Sequence, residues 1–331
     1  MSAKGGDAIA LVQYLNGADF LGAVEEITGR PPPDGRNGVT ADPQLMAAQA
    51  AQAEALRLRA EREMNEFRSK EIRRAHEIWT AAGPVSGSVA ESYLRYRGVT
   101  PAPGAKLRSL TKLPYWHFVS GTWKVIHEGP AMVAAIQGRD AAFIGCHCTW
   151  IDPGLATRKG KAEIVHPETG ELLDAKKVRG SQKGGHIHLA GDAECRALII
   201  GEGIETVYAV REALIAAGVG PSLFWSSVNL GNLGGRARES VMHPTLSTSD
   251  KAGRIRRQKV PGPVPDLEDF DSLMPPDHVT GITLLGDGDS DRFTTGNVLR
   301  RFAARWQRPG RVIKAAWADD GHDFSDMMAV G

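Results

Sequence analysis

The sequence is short of cysteine, has no long apolar run and carries almost no net charge. Its three cysteines, Cys146, Cys148 and Cys195, cannot form a framework in which every thiol is bridged. That excludes a small disulfide-stapled secreted domain and fits a reducing compartment. A zinc site on Cys146 and Cys148 would need histidine, for which His186 and His188 are the candidates. No stretch approaches the ~18 consecutive apolar residues of a membrane helix, and the opening MSAKGGDAIA lacks a basic region followed by an apolar block. A cytoplasmic protein without membrane association is expected. Hydrophobic residues at 42% and charged residues at 24% match ordinary globular usage, which excludes a wholly disordered or fibrous chain.

What is present is charge segregation. Forty basic and 39 acidic residues nearly cancel, so bulk charge does not draw this chain to nucleic acid. The charges are grouped, however. Basic runs occur at Arg158, Lys159 and Lys161, at Lys176, Lys177, Arg179 and Lys183, and at Arg254, Arg256, Arg257 and Lys259. Acids gather at Asp287, Asp289 and Asp291. Such grouping suits a polyanion held beside a cation-binding pocket, although solvated loops produce the same runs.

The pattern divides the chain into four regions: 1–33, 34–83, 84–192 and 193–331. In the first, Ile9, Val12 and Leu15, then Phe20, Val24 and Ile27, predict two short helices parted by Asn16-Gly17. After the linker RPPPDGRNG, residues 43–82 run without an interior Gly or Pro and predict one long charged helix. Leu45, Leu56, Phe67 and Ile78 recur along it every eleven residues as a narrow apolar stripe. Residues 84–192 mix short apolar runs with glycine and predict a small, mainly β (α+β) domain with an early helix at SVAESYLRYRG. From Ala197 onward, ALIIG, SLFWSS, GITLLG and RVIKAAW alternate with amphipathic segments, which predicts a Rossmann-like parallel sheet covered on both faces. Residues 234–280 interrupt it as an insertion without clear periodicity.

In such sheets ligands bind beyond the carboxyl ends of the strands. Two acidic motifs fall there. Gly201-Glu202-Gly203 follows ALII, and Asp287-Gly288-Asp289 follows ITLLG, with Asp291 two residues on. Alternation in an extended segment would aim Asp287 and Asp289 the same way. Clustered carboxylates repel unless a hard cation joins them, which makes Mg²⁺ or Mn²⁺ the expected cofactor. No nucleophile elbow surrounds Ser226 and Ser227, and GRARES does not follow the P-loop pattern.

GEGIET followed about 85 residues later by LLGDGDSD resembles the Toprim domain of bacterial replicative primases, topoisomerases and certain nucleases. The resemblance implies that Glu202, Asp287 and Asp289 are the catalytic metal ligands of phosphoryl transfer, with Asp291 an additional candidate. The ending DGHDFSDMM is similar to the G-x-D-F-N-D-L-L close of primase-like proteins from phages and integrated elements, with Ser325 in the Asn position. GGDAIALVQYLNGADFLGAVEEITG resembles the segment that follows the zinc ribbon of such primases. No cysteine precedes Cys146, so the implied protein lacks an N-terminal ribbon. YLRYRGV and CHCTWIDPG resemble the amino-terminal half of the same phage-type proteins.

The expectation is therefore a primase-like nucleotidyltransferase acting on single-stranded DNA and NTPs, with Lys177, Arg179 and Lys183 as candidate nucleic-acid or nucleotide contacts. A helicase or a separate zinc-ribbon protein is an implied partner. Two rivals share the same residues: a Toprim nuclease, in which water replaces the attacking hydroxyl, and a non-catalytic accessory protein that docks a helicase through the long helix.

Overall fold

The computed structural model describes residues 8–30, 43–157, 159–249 and 253–328. Arg158 and the linker of residues 31–38 fall outside them, as does the Leu45 side chain. The chain divides into two compact units, Met1–Glu63 and Met64–Gly331.

The first unit contains α1 (Ala8–Asn16) and α2 (Phe20–Thr28). Gly17 turns between them at φ 62°, and Asp19 caps α2 by accepting from the Gly22 amide at 2.8 Å. Both predicted helices are present, yet among their described apolar side chains only Ala23 is fully buried, and Leu15, Phe20 and Ile27 remain exposed. Helix α3 (Pro43–Ala81) starts in this unit and ends in the second. It stops where Gly83-Pro84 denies it further turns. Leu56 and Phe67 of its stripe are exposed, whereas Ile78 packs against a core cluster built on Leu113, Val133 and Trp150.

After the end of α3 the second unit continues with α4 (Val89–Tyr96), capped by Ser88. Then come β1 (Leu107–Val119), β2 (Thr122–Gln137), β3 (Phe143–Trp150), the short pair β4 (Ile164–Val165) and β5 (Leu172–Leu173), and β6 (Lys176–Gly180). Strands β1-β2-β3-β6 form an antiparallel sheet in that order. Period-two alternation lets β2 serve two cores. Met132, Ala134 and Ile136 face one cluster, and Ala131 and Val133 face the other.

The second sheet has the order β13-β12-β8-β9-β7. Its members are β7 (Ile187–Ala190), β8 (Ala197–Gly201), β9 (Leu223–Ser226), β12 (Gly281–Gly286) and β13 (Val312–Trp317), with α5 (Ile204–Ala216), α6 (Leu230–Gly234), α7 (Arg292–Trp306) and α8 (Phe324–Met328) between or after them. All pairings are parallel except that of β7 with β9. The expected α/β class, with a parallel sheet preceded by a mainly β part, is the observed one. Leu198 and Ile200 pack toward Leu299 and Phe302 of α7, while Ile199 packs toward Val207 and Tyr208 of α5. The near-continuous apolar run in ALII reflects burial on both faces.

The described residues of the 234–280 segment are more ordered than their composition predicts. β10 (Ser240–Ser249) and β11 (Ile255–Pro261) pair as an antiparallel ribbon with a register shift between Met242 and Ser247, the interval that contains Pro244. Proline is tolerated at such irregularities because no ladder donor is needed there.

Candidate active site

The carboxyl ends of β8 and β12 are neighbours, because β8 pairs directly with β12. Beyond them lies a cleft of about 410 Å³ whose lining includes Glu202, Asp287 and Asp289 from one side and Lys159, Lys161 and Lys176 from the other. The strand ends at Gly201 so that Glu202 leaves the sheet and Gly203 starts α5 as its N-cap. A side chain at Gly201 would press on Val207 Cγ2 at 2.8 Å, so the close approach of strand and helix needs glycine.

The Asp287 motif reaches the cleft by a different route from the one alternation suggests. β12 ends at Gly286, and Asp287-Gly288-Asp289 is a turn rather than extended chain. Gly288 donates to the His322 carbonyl at 2.8 Å and accepts from Gly321 at 3.0 Å, which pins the turn to the loop after β13. A Cβ on Gly288 would lie 1.9 Å from the Asp319 carbonyl oxygen, so only glycine permits this contact.

That pinning brings Asp323 into the same cleft. Asp323 accepts from Ser325 Oγ at 2.6 Å and from the Asp326 amide at 2.8 Å, and Arg97 and Lys159 approach it at 3.3 and 3.4 Å. Arg97 also donates to Ser325 Oγ. The DFSD motif thus borders the site, held by Arg97, the residue that follows α4.

Crowding sets the electrostatics. Burial, then Asp323, Asp289 and Glu202, push the Asp287 carboxyl up to about 6, against a 3.3 Å hydrogen bond from Thr206 Oγ1. Burial also raises Glu202, helped by Asp289 and opposed by Lys176. Carboxyls raised by mutual repulsion and burial form a hard, all-oxygen donor set that a divalent cation would relieve. Among the described residues no three His, Cys, Asp or Glu side chains are already gathered at coordinating range.

Asp291, the fourth acidic candidate, is not in the cleft lining. It caps α7 by accepting from the Thr294 amide at 2.7 Å, and it meets His243 Nε2 at 3.0 Å. The helix that begins at Arg292 takes its carboxylate away from the turn.

The basic candidates separate. Lys177 lines the cleft, and its ammonium sits 3.7 Å over the Tyr115 ring and donates to the Trp116 carbonyl. Burial and Arg179 lower it to about 8. Arg179, two residues on along β6, lies in a second groove. Lys183 pairs with Asp271 at the surface.

Sequence reasoning missed the buried network around Glu205. Its carboxylate accepts from the Tyr93 hydroxyl and has Lys161 and Lys176 at 3.8 and 3.9 Å. Burial pushes it up, but Lys176, Lys161 and Tyr93 outweigh burial and hold it well below the usual carboxylate range. Burial lowers Lys161 to about 8 in spite of Glu205, whereas for Lys176 the attraction of Glu205 exceeds burial and raises it. A signal existed. Glu205 is an acid in the first turn of an otherwise apolar helix start, and Lys176 begins a strand.

Cys146 and Cys148 are buried 3.8 Å apart beside Trp150, and His186 stacks on Trp225 with 3.5 Å between ring centres.

The family described as a domain of unknown function (DUF7146) matches residues 69–189, a stretch that holds the lysine wall and ends before Glu202. No curated protein matches the chain. Among solved structures it is similar to a DNA primase domain from Pseudomonas aeruginosa, with 11% identity, a TM-score of 0.40, and 77% of this chain and 73% of that one covered. It is similar also to the DnaG catalytic core, at 14% identity, TM-score 0.37, and 81% and 74% coverage. A third similarity is to the DnaG primase catalytic domain bound to ssDNA, at 15% identity, TM-score 0.38, and 80% and 76% coverage. These are distant likenesses and assign no reaction. Among the described residues no helix is long and apolar enough to cross a membrane.

Proposed function

We propose that this chain is a Toprim primase-like nucleotidyltransferase of the phage and integrated-element kind, making primers on single-stranded DNA from NTPs. The observation that carries the reading is the convergence of Glu202 with Asp287 and Asp289, from the ends of two adjacent parallel strands, in one cleft faced by lysines. Asp287 and Asp289 would hold Mg²⁺ or Mn²⁺, with Glu202 completing the site. Bound there, the ion supplies charge neutralisation to a triphosphate and polarises the oxygens of an in-line displacement.

The chain's own residues supply the rest. Lys159, Lys161 and Lys176 offer a cationic wall to phosphate oxygens, and Lys159 already spans Asp323 at 3.4 Å and Asp289 at 3.9 Å. Glu202, raised by burial, is suited to accept the proton of an attacking hydroxyl at a carboxylate oxygen. Gly288 and the loop after β13 keep the carboxylates from drifting apart. A helicase or a separate zinc-ribbon protein would act with the chain in replication.

The test is incorporation of labelled NTP on single-stranded DNA with Mg²⁺ or Mn²⁺, run beside nicking of supercoiled DNA. Incorporation that falls by at least ~100-fold in Asp287→Asn, in a variant that melts as the parent does, is the expected result. Nicking without incorporation would transfer the cleft to the nuclease reading, and neither activity would leave the accessory role.

A further inference from the structure

A second groove, of about 730 Å³, lies between the later part of α3 and the β1–β2 hairpin. Its lining includes Trp116, Trp123, Phe67, Arg74 and Arg179. Two acids, Glu71 and Glu77, also line it, and Glu71 is paired with Arg74.

The hairpin's outer face is unusually aromatic for a surface. In the ladder Phe118 opposes Trp123 and Trp116 opposes Val125, which sets all four on one side. Trp116, Phe118 and Trp123 are 42%, 54% and 61% exposed, and the Phe118 and Trp123 rings meet edge to face at 5.7 Å. The opposite side, with Tyr115 and Val119, is buried and already holds the hairpin in place. Folding therefore gives no reason for the outer rings.

Strand β6 runs from the carboxylate cleft to the groove. Lys177 lines the cleft and binds the Trp116 carbonyl, and Arg179 lines the groove. Exposed planar rings beside a basic track are what a strand of unpaired bases requires, because every base has a face to stack and every nucleotide a phosphate to neutralise. We propose that this groove is a stacking platform for single-stranded nucleic acid, which passes from the cleft by Lys177 and Arg179 and lays its bases on Trp116, Phe118 and Trp123. The proposal rests on the polymerase-like reading of the cleft and assigns the path of its template.

The test measures anisotropy of a labelled oligo-dT against the full chain, without NTP, across a salt series. Trp116→Ala/Trp123→Ala should weaken binding by at least ~tenfold while leaving the salt slope unchanged, since stacking releases no counterions. Trp123→Phe should retain most of the affinity. Arg179→Ala should instead flatten the slope by about 0.7, the share of one phosphate contact. Affinity within about twofold of the parent in the double variant would overturn the platform, as would failure of the parent to bind. An apolar peptide as the true occupant would produce that same overturning result. Trp123→Ala alone, at an exposed ring, serves if the double variant fails to melt cooperatively. If the parent binds oligo-dT and the double variant loses that binding while the parent incorporates no nucleotide, the platform stands and the catalytic reading falls; if the parent incorporates nucleotide and the double variant binds as the parent does, the catalytic reading stands and the platform falls.

Discussion

Glu205→Gln should destabilise the second unit by about 3–5 kcal/mol, measured by urea unfolding at pH 7. The cause is charge left behind. Lys161 and Lys176 flank Glu205, whose side chain is only 6% exposed, and with the carboxylate neutralised their ammoniums lose their buried counter-charge. The Tyr93 hydroxyl keeps an amide oxygen to donate to, so loss of the hydrogen bond is a minor part. The effect should depend on pH. Glu205 is depressed in the folded state, so its stabilisation is complete above the unfolded carboxylate value and is lost as pH falls toward its folded value. Parent and variant should therefore converge in acid. Lys161 acts in the other range. With a folded value of about 8, below the ordinary lysine value of 10.5, it binds fewer protons folded than unfolded between those values, and stability should rise with pH there. In the variant, without Glu205 to hold its charge, that rise should begin at lower pH. A variant as stable as the parent at pH 7 would remove the network from the account.

Glu202→Gln should lower nucleotide incorporation by at least ~100-fold, the lower end of acid-base contributions, while the melting temperature and oligo-dT affinity stay close to the parent's. The substitution keeps the shape of the side chain and removes the charge. Backbone contacts of the residue are unaffected, since Ser226 Oγ donates to the Glu202 carbonyl at 2.6 Å and not to its carboxylate. Near-normal turnover in a folded Glu202→Gln protein would separate this residue from the chemistry and leave Asp287 and Asp289 to carry it. Glu202→Asp is the companion variant, because it keeps the charge and retracts it by one methylene.

Much of this site was legible in the sequence, for a reason that lies in sheet geometry. An apolar run ending in Gly-Glu-Gly or Asp-Gly-Asp marks a strand's carboxyl end, and parallel strands place those ends on one rim. That rule places Glu202, Asp287 and Asp289 on the rim from the sequence alone. It failed for Asp291 because spacing does not separate a cleft carboxylate from a helix cap, and Asp291 precedes α7 directly. It also misjudged how Asp289 arrives, since the glycine contact with the Asp319 carbonyl is a tertiary event with no local signature. The lysine wall was visible only as basic runs resembling solvated loops. What distinguishes Lys161 and Lys176 is a single acid, Glu205, contributed by another element. The ribbon of β10 and β11 shows no clear period in the sequence, because two exposed strands bury too little to leave an alternating pattern.

The central claim is that Asp287, Asp289 and Glu202 form one divalent-cation site, and Mn²⁺ titration by calorimetry tests it most directly. The parent protein should show saturable binding at neutral pH that tightens when NTP is added, and Asp287→Asn/Asp289→Asn should lose it with the fold intact. Mn²⁺ binding of equal affinity in the double variant, or no binding to the parent with NTP present, would contradict the account.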